Sequence, residues 1–423
     1  MAEYCSSNKR MKFWYSNEQP ESTTTTTAPS IVNEIDIIST LPDCLLCHIL
    51  SFLPYTTSIV ATTGVLSRRW RYLWKDLQNF HFNQSSFIHD SGSQYFCTSK
   101  SPLLASAKTF LSLRTTRVFR KFHLNCAIVE EELSTVKSWI ETAIGSNLEE
   151  LQLNLFVKGR RKLVIPPTIF NCAALVTLTL GSFGEAVMVL NGSSYHLPSL
   201  KNFSLSLTIR ACYQVVIIEE LEIDASSLEY LSVSVFGLLE EINAWNLQKV
   251  ETVDLNFLCA GGGYSLIKLL NGIRSASDLS LTVSSRDSVD LPIRDLMDFN
   301  HLQQLTVEYF DTTVVMDILG KCHVLQDLTI CWHQEGGVEW SREPMDVPNC
   351  LVSHLERVKF FMDYGSKNDK EFISYVLQKG LILKSVEIWA HPKRRFCHKS
   401  NNYEQELLIP IASKMCQLEI VTP

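Results

Sequence analysis

The 423-residue sequence lacks three features that would place it in a membrane, outside the cell or on nucleic acid. No apolar run approaches the about 18 residues that a membrane-spanning helix requires. The first residues, MAEYCSSNKRMKFWYSNEQP, contain no continuous apolar stretch of the kind found in secretory signals. The net charge of −7 gives no reason to expect nucleic acid or an anionic lipid surface as a partner. These absences predict a protein of the cytoplasm, the nucleus or both.

The sequence also lacks the motifs of common catalytic and metal sites. It has no GxSxG, no HExxH and no lysine–hydroxyl pair after a glycine run. Cys44 and Cys47 have CxxC spacing, but no second pair follows to complete a zinc site. A second group of potential ligands surrounds one short apolar segment: Cys322, His323, Cys331 and His333. We interpret both groups as ordinary side chains, and we expect no metal, no cofactor and no catalytic residue.

What the sequence does contain is a repeat. Eleven segments carry an apolar residue at their first, fourth and sixth positions and recur about every 26 residues. They are FRKFHL, LEELQL, LVTLTL, LKNFSL, LEYLSV, VETVDL, ASDLSL, LQQLTV, LQDLTI, LERVKF and LKSVEI, which begin at residues 119, 148, 175, 200, 228, 250, 276, 302, 325, 355 and 383. This period and pattern are typical of leucine-rich repeats.

The repeat predicts a parallel solenoid. Each segment contributes one short strand, and its three apolar residues point inward, where only the neighbouring repeats can bury them. The intervening residues point outward and can contact a partner protein. We assign the repeats to residues 105–345, and the outward-facing candidates for target binding are Tyr230, Glu308, Tyr309 and Trp332.

The segments before the repeats differ from them and from each other. Residues 1–35 are polar, with a run of five threonines, and predict a disordered arm. Residues 36–82 begin with LPDCLLCHILSFLP, in which leucine and isoleucine recur at helical spacing, and continue with VLSRRWRYLW. They predict three short helices, the second between Ser58 and Gly64. A unit of this size has little room for a core of its own, so we expect it to bury apolar surface on another protein.

Residues 346–423 predict an atypical end to the solenoid. KNDKEFISYVLQKG places Phe372, Ile373, Val376 and Leu377 on one face of a helix, which Gly380 can terminate. CQLEIV predicts a last strand.

These segments resemble a known family. LPDCLLCHILSFLP followed by VLSRRWRYLW resembles an F-box, the repeats resemble the leucine-rich repeats of plant F-box proteins, and the last segment resembles an FBD domain. The fold class implied is α/β: a short three-helix F-box, a curved solenoid of parallel strands, and a C-terminal α/β cap.

The resemblance implies that the chain is the substrate-recognition subunit of an SCF-type cullin–RING ubiquitin ligase. The F-box would dock on the Skp-type adaptor, which connects it to the cullin and RING subunits, and the repeats would bind an unidentified target protein. Ubiquitin transfer would take place on other subunits. The alternative is a repeat scaffold that binds proteins without directing ubiquitin transfer. The adaptor-docking residues that the resemblance implies are Leu41, Pro42, Leu45, Ile49, Leu50, Leu53, Trp70 and Trp74, and we expect Leu45, Ile49 and Trp70 to contribute most of the affinity.

Overall fold

The structure is a computed structural model of the whole chain. It describes residues 37–53, 62–63, 65–83, 102–145, 147–158, 163–184, 188–190, 196–209, 221–236, 242–245, 247–257, 263–283, 292–308, 312–332, 346–362, 367–390 and 411–421. The predicted disordered arm, Tyr309, His333 and most of the predicted second helix lie outside these residues.

A sheet of thirteen parallel strands runs through the described part of the chain. The strand order is β1-β2-β3-β5-β7-β9-β11-β12-β13-β14-β15-β16-β17, so the sheet follows the chain from its first to its last strand. The strands are β1 (Asn79–Asn83), β2 (Lys121–Val129), β3 (Glu150–Lys158), β5 (Thr177–Gly184), β7 (Asn202–Ile209), β9 (Tyr230–Phe236), β11 (Thr252–Phe257), β12 (Asp278–Val283), β13 (Gln304–Glu308), β14 (Asp327–Trp332), β15 (Arg357–Met362), β16 (Ser385–Ala390) and β17 (Gln417–Val421).

The repeat prediction is confirmed in register. Each of the eleven segments forms a strand that starts two residues after the segment does, from β2 to β16. The residues at positions one, four and six are all buried, with 4% exposure or less. The predicted α/β fold class is therefore confirmed. The alternate residues form what we call the open face of the sheet, where the side chains of neighbouring strands lie side by side.

The connections return along the other side of the sheet, which we call the closed side. Their apolar faces cover the inward side chains of the strands, and together they form one core. The helices are α4 (Pro102–Leu113), α5 (Leu133–Ile144), α6 (Gly263–Gly272), α7 (Thr312–Leu319), α8 (Asn349–Ser353) and α9 (Lys367–Lys379), and two short parallel pairs join β4 (Leu163–Ile165) to β6 (Met188–Leu190) and β8 (Leu221–Asp224) to β10 (Ile242–Trp245). No described helix is both long and apolar enough to cross a membrane.

The N-terminal helices pack on the first strands of the sheet. They are α1 (Ile37–Thr40), α2 (Asp43–Ser51) and α3 (Trp70–Leu73), and a 3-10 turn, Trp74–Asp76, leads into β1. The sequence did not predict β1, which lies inside residues 36–82 and pairs in parallel with β2. The sheet therefore begins before residue 105, where we expected the repeats to start.

The C-terminal segment continues the same sheet. Strands β15, β16 and β17 pair in parallel with one another, and α9 buries Phe372, Ile373, Val376 and Leu377 completely. Gly380 follows the helix, as predicted. A Cβ atom there would lie 2.4 Å from Leu383 Cδ1 and 2.9 Å from Val376 O, so close packing requires the glycine.

Ion pairs connect neighbouring repeats. Arg120 pairs with Glu149 at 2.8 Å and Lys201 with Glu229 at 2.7 Å, each residue directly before its strand, and Lys359 pairs with Glu387 at 3.1 Å on the open face. These pairs are partly exposed, so each adds at most about 1 kcal/mol to the free energy of unfolding.

Glu150 is the carboxylate on the open face with the most strongly lowered pKa. His123 Nε2 donates to it at 3.2 Å and Lys121 Nζ at 2.6 Å. The hydrogen bond from His123 lowers the pKa most, partial burial raises it, and Lys121 lowers it further, so that the pKa falls from an ordinary 4.5 to about 2.

A lowered carboxyl pKa stabilises the folded state above the unfolded pKa, and this contribution disappears as the pH falls through the folded value. We therefore expect Glu150→Gln to lower the free energy of unfolding at pH 7 by about 1 kcal/mol, a value reduced because solvent screens the partly exposed pair. The difference from wild type should shrink between pH 4.5 and about 2. Urea unfolding at several pH values measures it, and a difference independent of pH would contradict this account.

Candidate functional site

Helix α2 is apolar on two sides. Leu46 and Leu50 are four residues apart and lie in the core, with 0% and 2% exposure. Leu45, Ile49 and Leu53 also follow one another at four-residue steps, and they are 46%, 45% and 42% exposed. We call these three residues the outer stripe. An apolar side of a helix is normally covered, so the exposed outer stripe indicates a surface for a partner.

The inner side of α2 packs against α3 and the first strands. Trp70, Leu73 and Trp74 are 5–8% exposed, and the Trp74 ring lies 4.8 Å from that of Phe110 in α4. The N-terminal helices therefore share a core with the solenoid, and our expectation that they bury their apolar surface only on another protein was wrong for this side.

Three predicted docking residues are corrected by this packing. Leu50, Trp70 and Trp74 are buried at 2%, 7% and 8% exposure, so an adaptor cannot reach them without opening the core. Helical spacing alone does not place all apolar residues of α2 on one side, because Leu45 and Leu46 are adjacent and must point about 100° apart.

The start of α2 is held by Arg69. Its Nη2 atom donates to Leu41 O at 2.5 Å, and its Nε atom donates to Asp43 Oδ1 at 2.7 Å. Leu41 is half-buried and packs against the core, whereas Pro42 is exposed at the N-cap position. Of the predicted docking residues, Pro42 thus joins the outer stripe on the surface.

Further apolar residues that the sequence did not single out are exposed near α2. Of seventeen large apolar side chains exposed in the described part of the chain, nine fall between residues 37 and 72. This concentration distinguishes the N-terminal helices from the solenoid. Besides the outer stripe they are Ile37, Ile38, Phe52, Val65, Leu66 and Tyr72.

Cys44 and Cys47, which both lie in the described helix α2, are not arranged for redox chemistry or metal binding with any described residue. Cys44 is exposed, while the Cys47 thiol donates to Leu73 O at 3.5 Å. Burial, helped by Asp76 and Asp43, raises the pKa of Cys47 to about 11, which keeps it in the unreactive thiol form.

In the second group of potential ligands, Cys322 is buried on the closed side and Cys331 lies on the open face. His323 Nε2 lies 3.4 Å from Asp298 Oδ2. Within the described ranges, no three His, Cys, Asp or Glu side chains are placed to hold a metal ion.

The target-binding candidates fall in different places. Tyr230 is half-buried on the open face, and Glu308 lies on the same face, where Thr282 Oγ1 donates to it at 3.2 Å. Trp332 is only 8% exposed, because it stacks on Phe360 at 5.6 Å and meets Phe372 edge-on at 5.7 Å. Its assignment as a target contact is therefore wrong.

Two aromatic residues of the open face were missed. Phe361 and Trp389 lie opposite each other on β15 and β16, and their rings stack at 5.7 Å with an interplanar angle of 20°. Both are partly exposed. The signal was present in the sequence, because each occupies the seventh position of its repeat segment and the side chain at that position points outward.

Comparison with known families identifies the two ends of the chain. A family model described as the F-box domain matches residues 38–82, which contain the outer stripe and end within β1. A second model, described as FBD, matches residues 343–388, which include α8, β15, α9 and most of β16.

Related proteins from Arabidopsis thaliana cover most of the chain. An FBD-associated F-box protein is 24% identical over 396 residues, which are 84% of this chain and 92% of that protein. An F-box/FBD/LRR-repeat protein is 27% identical over 411 residues, 84% of this chain and 86% of that protein. An F-box/LRR-repeat protein is 32% identical over 166 residues, 39% of this chain and 30% of that protein. The chain therefore carries an F-box domain and an FBD domain, and over most of its length it is similar to F-box proteins that combine leucine-rich repeats with an FBD domain.

Proposed function

We propose that the chain is the substrate-recognition subunit of an SCF-type cullin–RING ubiquitin ligase. The F-box docks on the Skp-type adaptor, and the open face of the sheet holds a target protein. The observation that supports docking of the F-box is the outer stripe: Leu45, Ile49 and Leu53 remain 42–46% exposed on a helix whose adjacent side is already buried.

The energetics of the outer stripe support docking. Covering a leucine or isoleucine side chain completely is worth about 1.5–3 kcal/mol, so three half-exposed side chains can contribute several kcal/mol to association. Part of that gain offsets the lost freedom of the two proteins. The hydrogen bonds from Arg69 fix the start of α2 before the partner arrives, which lowers this cost.

The chain's role in ubiquitin transfer is to hold the target near the enzyme. Trp70, Trp74 and Phe110 join the F-box to the solenoid through one core, so a protein bound to the sheet is held at a defined position relative to the adaptor. Such positioning raises the effective concentration of the target without any catalytic group on this chain.

A direct test mixes the purified chain with a plant Skp-type adaptor and follows co-elution in size-exclusion chromatography. We expect a one-to-one complex. Separate elution of the two proteins at micromolar concentration would contradict the proposal. Adding the cullin and RING subunits, the ubiquitin-charging enzymes and a captured target then separates a receptor from a scaffold, because only a receptor directs ubiquitin onto the target.

A further inference from the structure

Phe361 and Trp389 form a preorganised aromatic surface, which we call the aromatic platform. Hydrogen bonding holds the indole in place, since Trp389 Nε1 donates to Glu387 Oε2 at 3.1 Å. Neighbouring positions in the same row of the open face are also apolar, with Cys331 beside Phe361 and Val421 beside Trp389. The platform therefore lies within a short apolar row near the C-terminal edge of the sheet.

Of the charged residues next to the platform, some form ion pairs with each other and one carboxylate does not pair with any described residue. Glu387 already pairs with Lys359 at 3.1 Å, and Arg357 pairs with Asp327 on the preceding strands. Glu419 lies opposite Glu387 on β17, is exposed, and forms no ion pair with any described residue. Partial burial raises the pKa of Glu387, but hydrogen bonds from Trp389 and Lys359 outweigh it, so this carboxylate stays ionised.

We propose that the aromatic platform binds an arginine side chain of the target protein, whose guanidinium stacks on Trp389 and donates to the Glu419 carboxylate. The aromatic face attracts a cation, and the planar guanidinium can stack on a ring while its N–H groups reach a carboxylate in nearly the same plane. The charge of Glu387 is already neutralised by Lys359, so Glu419 supplies the negative charge for the bound guanidinium. The proposal rests on the target-binding half of the proposed function and does not depend on the adaptor.

The same features make other ligands poorer matches. A lysine carries its charge on a compact ammonium that cannot stack in this way. An anionic group would face the carboxylates of Glu419 and Glu387. An apolar side chain could cover the rings but would not engage the Glu419 carboxylate, so arginine uses both parts of the surface.

The experiment uses the full chain labelled with ¹⁵N at the tryptophan indoles and no adaptor. The probe is the blocked peptide acetyl-Gly-Arg-Gly-amide, compared with the same peptide carrying citrulline, which has nearly the same shape without the charge. The Trp389 indole N–H resonance is assigned by its loss in Trp389→Phe. We expect a saturable shift with the arginine peptide and at least about fivefold weaker binding of the citrulline peptide.

Variants locate the site. Glu419→Gln should weaken binding of the arginine peptide by about threefold, a modest loss because the carboxylate is exposed. Glu131→Gln removes an exposed carboxylate from the turn after β2, near the other end of the sheet, and should leave the affinity unchanged.

Several results would overturn the proposal. They are the absence of a saturable shift, equal binding of the two peptides, or an affinity that Glu419→Gln does not change.

The sequence also carries Arg394 and Arg395 between β16 and β17. If replacing both by glutamine moves the Trp389 resonance without any peptide, the platform serves the chain's own basic segment and not a target. Because the adaptor is absent, failure here leaves the proposed docking of the F-box untouched.

Discussion

Replacing Leu45 and Ile49 together by aspartate is expected to weaken adaptor binding by at least about 100-fold, equal to about 2.7 kcal/mol. Both side chains are nearly half exposed in the free chain, so the change removes two apolar anchors and places two carboxylates where a partner would exclude water. Calorimetric titration of the variant with the Skp-type adaptor measures the effect. The fold itself should persist, because neither residue contributes to the core.

A control variant tests whether the loss of binding comes from the outer stripe or from adding a carboxylate anywhere on the surface. Leu381 is 54% exposed near the C-terminal end of the sheet, so Leu381→Asp introduces the same carboxylate on an equally exposed apolar residue. We expect wild-type affinity for the adaptor from this control. If the double variant binds as tightly as the control, the outer stripe is not the docking surface.

Replacing Phe80 by alanine is expected to lower the free energy of unfolding by about 3–5 kcal/mol. Phe80 is fully buried in β1, and its ring stacks against Phe82 at 4.5 Å and Phe122 at 4.6 Å. The rings of Phe110 and Phe119 lie 5.9 Å and 6.2 Å away, so the cavity would open where the F-box meets the first repeats. Urea denaturation followed by circular dichroism measures the loss.

Phe52→Ala provides the matched comparison, since the same ring is removed at a position with 74% exposure. Its stability should stay within about 0.5 kcal/mol of wild type. A similar loss in the two variants would mean that the junction between F-box and sheet is not packed as described.

The repeats were predictable because their signal is redundant. A single LEELQL could be a helix, a hairpin strand or a loop, but eleven segments with the same three apolar positions at a regular period fit only stacked parallel strands. The repeat pattern also determines which side chains point inward. Alternation along the strand therefore predicts that Trp332 points into the core and that Phe361 and Trp389 point outward.

Strand β1 was not predictable in the same way. LQNFHF, which begins at Leu77, carries the three apolar positions of the repeat, but it follows the helices of the F-box directly and stands more than forty residues before the next segment, well outside the period of about 26. Only its pairing with β2, Phe80 against Phe122, makes it the first strand of the sheet. That contact joins residues more than forty positions apart, so the regular spacing of the other segments did not reveal it.

The docking surface was predicted in part for a related reason. The sequence shows which residues of α2 are apolar but not which of two apolar sides meets the solenoid. Leu46 and Leu50 face inward because α3 and the 3-10 turn place Trp70 and Trp74 against them. The outer side of the helix is then what remains for a partner.

The central claim is that α2 has one apolar side in the core and an adjacent apolar side against the adaptor. It is tested most directly by hydroxyl-radical footprinting of the chain alone and in the adaptor complex. We predict that Leu45, Ile49 and Leu53 are oxidised in the free chain and protected in the complex, while Leu46 and Leu50 are protected in both. If the outer stripe is oxidised equally with and without bound adaptor, or if Leu46 and Leu50 become protected only in the complex, the account is wrong.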